Sequence, residues 1–383
     1  MLEKVFTGGR KYWGLVFSLL GIIAIAFFFY MIQIRDGLVI TGMSRDVSWG
    51  FYIAQFTFFV GVAASAVMVV LPYYLHDFKA FGKITILGEF LAIAAVTMCL
   101  LFIFVDMGQP FRIFNVILYP TPNSMMFWDT VALLGYLLLN LVIGWVTLSA
   151  ERKHLPPPGW VKPIIYLSIP WAISIHTVTA FLYAGIPGRH LWLTAIMAAR
   201  FLASAFASGP ALLILLCLIV RRFTSFDAGR EPLQALAKIV TYALTVNIFF
   251  VLLEFFTSYY SGVPSHSGSL GYLFFGLEGS GSLVPWMWLS SMLSLTALLL
   301  LIVPRTRRNE ASLAVAAFFV FFGIWIDKGM GLVVGGFIPN PFETITEYAP
   351  TAPELIITLG IWAIGFLIIT LLYKITISVR EEV

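Results

Sequence analysis

Long apolar runs recur along the whole chain, separated by short polar stretches. Taking about 20 apolar residues for one helical crossing of a bilayer, ten runs qualify. They fall at approximately 12–34, 49–71, 84–105, 125–148, 163–183, 196–220, 239–259, 284–303, 311–326 and 354–377. The ninth is short before Asp327, and its pattern can continue through 329–336. The first run follows Lys4, Arg10 and Lys11, as a signal peptide follows its charged head. It is too long for a signal core and no small-residue cleavage site follows, so it is read as a retained span. The pattern predicts an all-α integral membrane protein of about ten transmembrane helices.

The polar stretches assign the sides of the membrane. Lys and Arg residues number seventeen in the loops on the side of the N-terminus and five in the opposite loops, with Arg200 just inside the sixth run. Basic residues collect on the cytoplasmic side, so both termini are expected there. The cytoplasmic connections are mostly short and basic, as at 304–310. One longer segment, 223–237, is expected as either a surface helix or a solvated linker. The external connections 106–124, 260–283 and 327–353 are long and rich in Gly, Pro and Ser. Long structured loops on one face commonly carry function, so a docking partner is expected outside.

Composition agrees with this reading. The chain is 60% hydrophobic and 11% charged, with a mean hydropathy of +0.95, against about a quarter charged in soluble domains. Only two cysteines occur, Cys99 and Cys217. An iron–sulfur cluster needs about four thiolates, so the chain is expected to hold none of its own. Of five histidines only His176 lies well inside a run, which argues against a haem held by two intramembrane imidazoles. No metal site is expected.

Ionisable groups inside such runs are functional candidates by default. Asp129 opens the fourth run and Arg200 lies about one turn into the sixth. Glu254 is in the outer third of the seventh, Asp327 ends the ninth, and His176 is in the outer half of the fifth. Glu89, near the cytoplasmic start of the third, is the outlier. Each has a structural alternative. Arg200 can snorkel to headgroups, and Asp327 with Lys328 can form a helix-end ion pair. Glu254 and His176 can bond a neighbouring helix. The strongest group is the loop at 106–129, where Asp106, Arg112 and Asp129 flank a segment broken by Gly108, Pro110, Pro120 and Pro122.

That loop carries a resemblance. Asp106-x-Gly108-x-Pro110-x-Arg112, followed by Pro120, Asn123, Ser124, Met125, Met126 and Trp128, resembles the signature of the NrfD/polysulfide reductase membrane subunits. Trp49-Gly50 resembles a second family mark, and 173–192 with 203–213 resembles the ten-span branch found in Dsr-type sulfur-metabolism complexes. Gln109 and Phe111 stand where that family frequently has charged residues. The resemblance implies two four-helix bundles plus extra helices, divided as 12–183 and 196–377, with the quinone, typically menaquinone, in the first bundle near the outer face. It implies no prosthetic group and a ferredoxin-like four-cluster iron–sulfur protein on the external loops. For a Dsr-type complex it adds a haem-b membrane subunit, a multihaem cytochrome c and a cytoplasmic iron–sulfur subunit. Nucleic acid is no expected partner.

Quinol oxidation sheds two electrons and two protons. The expected site therefore has an apolar wall, from Trp49, Tyr52 and Trp128, and proton acceptors, from Asp106, Asp129 and His176. Arg112 is expected either to hold Asp106 ionised or to dock the partner. Glu89, with Thr97 beyond it, and Glu254 are candidates for a proton path. A secondary transporter and a purely structural membrane anchor are the rival readings; clustering of the charges under the outer face speaks against the first.

Overall fold

The computed structural model describes residues 1–382 and is helical throughout, with ten helices long and apolar enough to cross a membrane. They are α1 (Arg10–Asp36), α2 (Phe51–Leu75), α3 (Gly82–Asp106), α4 (Met125–Arg152) and α5 (Val161–Ala184). Then follow α6 (Met197–Phe223), α7 (Arg230–Tyr260), α8 (Val284–Ile302), α9 (Glu310–Gly335) and α10 (Ala352–Glu382). No strand occurs among the described residues. Helices satisfy their own backbone groups in hydrocarbon, which is why apolar runs of this length become them. The protein is a multi-pass integral membrane protein, and an even number of crossings returns the chain to its starting side.

The helices exceed the apolar runs at several ends, because polar residues continue them into the headgroup layer. One of the longest extensions is in α7. Of the segment 223–237, residues 224–229 are a non-helical connection, as the linker reading expects, but 230–237 form no separate surface helix. They are the first two turns of α7, with Pro232 tolerated in the opening turn and Leu233, Leu236 and Ala237 buried. The ninth span does continue past Asp327, through a π-helical stretch at Trp325–Gly331 and then Leu332–Gly335.

Packing proceeds largely between neighbours: α2 on α3, α3 on α4, α4 on α5, then α6 on α7 and α8 on α9, with α9 returning to α6. α6 also meets α2 and α5, and α10 lies against α1 and α3. α2 is hydrophobic all round and buried along nearly its whole length, as expected of a central helix. α1 is the least buried span, its Phe17, Ile25, Phe27 and Phe28 facing outward. Close approach depends on small residues. A Cβ at Gly209 of α6 would stand 2.7 Å from the Ser65 Cβ of α2, and one at Gly61 of α2 would stand 3.6 Å from the Ala205 Cα of α6.

The external segments are sewn down by carboxylates. Glu354, fully buried, accepts from the Tyr348 hydroxyl at 2.8 Å, the Gly42 amide at 2.7 Å and the Thr351 amide at 2.9 Å. The Tyr348 oxygen in turn accepts from the Phe51 amide at 2.7 Å, fixing the start of α2. Burial and the neighbouring Glu354 push the Tyr348 phenol well above its ordinary range. Glu347 accepts from the Gly281 and Ser282 amides at 2.7 and 2.9 Å. The segments around Gly42–Phe51, Gly281–Ser282 and Glu347–Glu354 are thus tied down over the helix ends.

Candidate functional site

α5 presents His176, Thr179 and Tyr183 on one face, as spacings of three and four residues require. The single-proton hydroxyl of Thr179 lies 2.6 Å from Asp129 Oδ1 of α4 and 2.7 Å from the Ile175 carbonyl of its own turn, and can donate to the carboxylate. The Tyr183 hydroxyl shares a hydrogen bond with Thr57 of α2. Above it, Trp49 packs edge-on to Tyr183 at 5.4 Å and stacks on Trp192 at 5.8 Å, with Phe337 at 5.9 Å. His176 is fully buried, and neither Nδ1 nor Nε2 has a hydrogen-bond partner. The interhelical bond open to this histidine on sequence grounds is not formed.

Beside this group lies a second. Tyr52 donates to Gln33 Oε1 at 2.8 Å, and Gln33 donates to the Val105 carbonyl at 2.6 Å, immediately before Asp106. Asp106 Oδ1 is buried without a partner. Tyr183 lies within electrostatic range of both Asp129 and Asp106. The structure therefore brings Trp49, Tyr52, Asp106, Asp129 and His176 under the outer layer.

Arg112 and Trp128 are not part of this assembly. Arg112 is exposed on the short helix Pro110–Phe114 and, among the described residues, pairs with neither aspartate. Trp128 is exposed on α4, its indole donating to the Pro122 carbonyl at 2.8 Å. Adjacent helical residues cannot share a face, and Asp129 takes the inward one.

A third group occupies α6, α7 and α9. Arg200 donates one guanidinium nitrogen to Glu254 Oε2 and the other to both Asp327 oxygens, at 2.8 and 3.0 Å. Its side chain is 9% exposed, so it is locked in a buried ion triad and does not snorkel. Asp327 and Lys328 do not pair. Within the π-helical stretch Asp327 goes to Arg200, whereas Lys328 enters the core, its Nζ 3.4 Å from the Phe201 carbonyl and 4.2 Å from that ring's centre. π-turns of this kind frequently mark functional positions. Lys328 lies within electrostatic range of His176 and of Cys99.

Glu89 is buried on α3 with both carboxyl oxygens unpartnered, against Gly144 of α4. Cys99 and Cys217 are buried and unpaired. Among the described residues no group of three or more His, Cys, Asp or Glu side chains is placed to hold a metal. Sequence reasoning misses Gln33, Gln55 and Glu354, and reads Lys328 only as a helix-end partner of Asp327. Gln55 accepts from the indoles of Trp325 and Trp362 at 2.9 and 3.2 Å. Both glutamines carry a readable signal, since an amide inside an apolar run must find partners.

Ten spans, an outer aromatic wall and buried acids beneath it define a polytopic membrane protein with a polar site near one face. Residues 39–336 match the polysulphide reductase NrfD family, and the chain belongs to that family. It is 27% identical over 96% of its length to a Halobacterium salinarum protein named as a candidate membrane subunit of dimethyl sulfoxide reductase, covering 91% of that protein. It is 22% identical to the menaquinone reductase integral membrane subunit of Nitratidesulfovibrio vulgaris, over 89% of this chain and 85% of that one. The Hdr-like menaquinol oxidoreductase integral membrane subunit of Archaeoglobus fulgidus is 23% identical, over 66% of this chain and 62% of that one.

Proposed function

We propose that this chain is the quinone-reactive membrane subunit of a respiratory electron-transfer complex, oxidising menaquinol, or reducing menaquinone in reverse, beneath the outer face. Family membership supports the class. The names of two relatives, a menaquinone reductase subunit and a menaquinol oxidoreductase subunit, support the choice of quinone. The observation that carries the reading is His176, fully buried with both ring nitrogens orphaned, one turn from the Thr179 that holds Asp129. Buried polar atoms are nearly always hydrogen-bonded, and an imidazole at membrane depth is costly without a partner. A ring hydroxyl or carbonyl of the substrate suits such a nitrogen, and the orphaned Asp106 oxygen offers a second contact.

Oxidation of the quinol turns two ring hydroxyls into carbonyls, releasing two protons and two electrons. His176 and Asp129 accept the protons in this scheme, with Thr179 fixing the carboxylate and Trp49 and Tyr52 bounding the ring. The electrons pass to a ferredoxin-like iron–sulfur subunit on the external layer, a surface to which Arg112 belongs. Residues 12–183 form the quinone-binding half and 196–377 the second half. Glu89 is the starting point of a proton path from the cytoplasm, and Glu254, held by Arg200 in the ion triad, is left out of it. The finer placing, with Dsr-type membrane subunits, rests on the 173–192 and 203–213 segments. It entails co-purification of a haem-b membrane subunit, a multihaem cytochrome c and a cytoplasmic iron–sulfur protein.

The test is turnover of the purified complex with menadiol as the reductant. His176→Ala and Asp129→Asn each lower kcat by about 100-fold or more, the usual contribution of a positioned acid or base. Unchanged turnover in both variants would refute the reading, and substrate flux without electron transfer would favour a transporter.

A further inference from the structure

The second half of the chain contains a cavity of about 310 Å³ between α7, α8 and α9, closed at one end by the helix Pro264–Phe275. This is near the lower end of the roughly 300–1,000 Å³ typical of small-molecule sites. Leu252 and Leu295 of its lining are 61% and 52% exposed on the outer surfaces of their spans, and Phe275 and Trp288, nearer the external end, are exposed as well. At the depth of the two leucines the surroundings are acyl chains, so an amphiphile can enter from the bilayer. Asn247 lies 13 residues before the outer end of α7, roughly 20 Å down at 1.5 Å per residue.

The inner wall is polar and incompletely satisfied. Asn247 is 4% exposed, lines the cavity, and makes no side-chain hydrogen bond, its Oδ1 wholly buried. Ser294, also on the wall, has no hydrogen-bond partner among the described residues, whereas Ser290 and Ser291 donate to the Gly323 and Met287 carbonyls at 2.7 and 2.9 Å. Asp327 reaches the same wall while holding Arg200 on its far side. No Lys or Arg lines the cavity. A wall with an amide, a hydroxyl and a carboxylate but no cation is hostile to a phosphate headgroup and suited to a neutral head that donates hydrogen bonds.

We propose that this cavity is a second site for a membrane-dissolved amphiphile, a quinol whose ring hydroxyl is received by Asn247 and Ser294. It is separate from the α2–α5 assembly and shares with the ion triad only Asp327. The choice of a quinol among hydroxyl-bearing amphiphiles rests on the function proposed above; the site itself does not.

The test uses the full chain, purified with whatever subunits accompany it, and the fluorescent hydroxyquinoline N-oxide HQNO as probe. Fluorescence quenching is expected to count two molecules per wild-type chain. Asn247→Leu, which removes the orphaned amide, and Ser291→Phe, which fills the cavity, each weaken one of the two sites at least tenfold and leave the other. Because Ser291 is satisfied by its own helix, the second variant reports on space even if the first folds poorly. Loss of one site in these variants, with both retained in His176→Ala, upholds this cavity and overturns the main-site assignment. A single HQNO site insensitive to both cavity variants overturns the proposal. So does native mass spectrometry showing a glycerolipid bound to wild type and lost on either substitution.

Discussion

Arg200→Met isolates the energetics of the ion triad. The guanidinium makes three close contacts, to one Glu254 oxygen and both Asp327 oxygens, with side-chain exposures of 9, 8 and 13% for Arg200, Glu254 and Asp327. Removing it leaves two carboxylates in low dielectric beside each other. Breaking a buried pair by deleting one partner costs about 3–5 kcal/mol, because the remaining charge is uncompensated. With roughly 2–4 °C of melting temperature per kcal/mol in chains of 150–250 residues, and less in longer ones, the loss is on the order of 10 °C. The assay is thermal unfolding of the purified protein in detergent, followed by size-exclusion profile. The triple variant Arg200→Met, Glu254→Gln, Asp327→Asn provides the control, since neutral groups of similar volume can replace a buried pair at little cost. It should recover most of the lost stability. If the single variant melts with wild type, or the triple variant is worse than the single, the triad does not compensate its own burial.

Lys328→Met tests the opposite case, an amine in the core with only a 3.4 Å contact to a carbonyl and a ring beneath it. Burying a polar head with so little compensation is costly, so Met should raise the melting temperature by a few degrees while lowering menadiol turnover; a fall in both would show that Lys328 has a structural partner. Glu354→Gln removes the charge that receives two backbone amides and the Tyr348 hydroxyl. A loss of about 2 kcal/mol is expected from hydrogen bonds to a charged group, and amide exchange at 40–51 and 348–354 should rise, with unchanged protection refuting the tether. Gly209→Leu drives a side chain into Ser65, 2.7 Å from where its Cβ would stand, and should cost about 1–3 kcal/mol by overpacking; normal stability would mean that α2 and α6 can separate freely.

The ten spans are legible because lipid leaves a chain so few ways to satisfy its backbone, and apolar length alone then marks each helix. Helix ends are less legible where polar residues extend them, as in 230–237 of α7, since hydropathy stops counting before the helix does. Pairing is hardest to read. Arg200 lies 54 residues from Glu254 and 127 from Asp327, so no local pattern can distinguish a triad from a snorkelling side chain. Asp327 and Lys328 are neighbours in sequence, yet adjacency on a helix sends side chains apart. The same rule separates Trp128 from Asp129. Arg112 falls between two aspartates in sequence, but the Pro-broken loop carries it outward.

The two sets of buried charge differ in a way that assigns them different work. Around α6, α7 and α9, the Arg200 guanidinium is ion-paired to both Glu254 and Asp327. Such a set is paired as it stands, and putting a proton on either carboxylate would lose an ion pair. Around α2 to α5 the acids have no such counterweight. Among the described residues Asp129 has only the Thr179 hydroxyl, Asp106 has an orphaned oxygen, and Glu89 has no partner at all. A carboxyl held in hydrocarbon without a cation is free to exchange a proton, since no ion pair is lost when its charge changes. Proton chemistry therefore belongs to the unpaired set, and His176, equally unpartnered, sits among its members. Substitutions in the Arg200–Glu254–Asp327 triad should register chiefly in stability, and substitutions in the unpaired set chiefly in turnover.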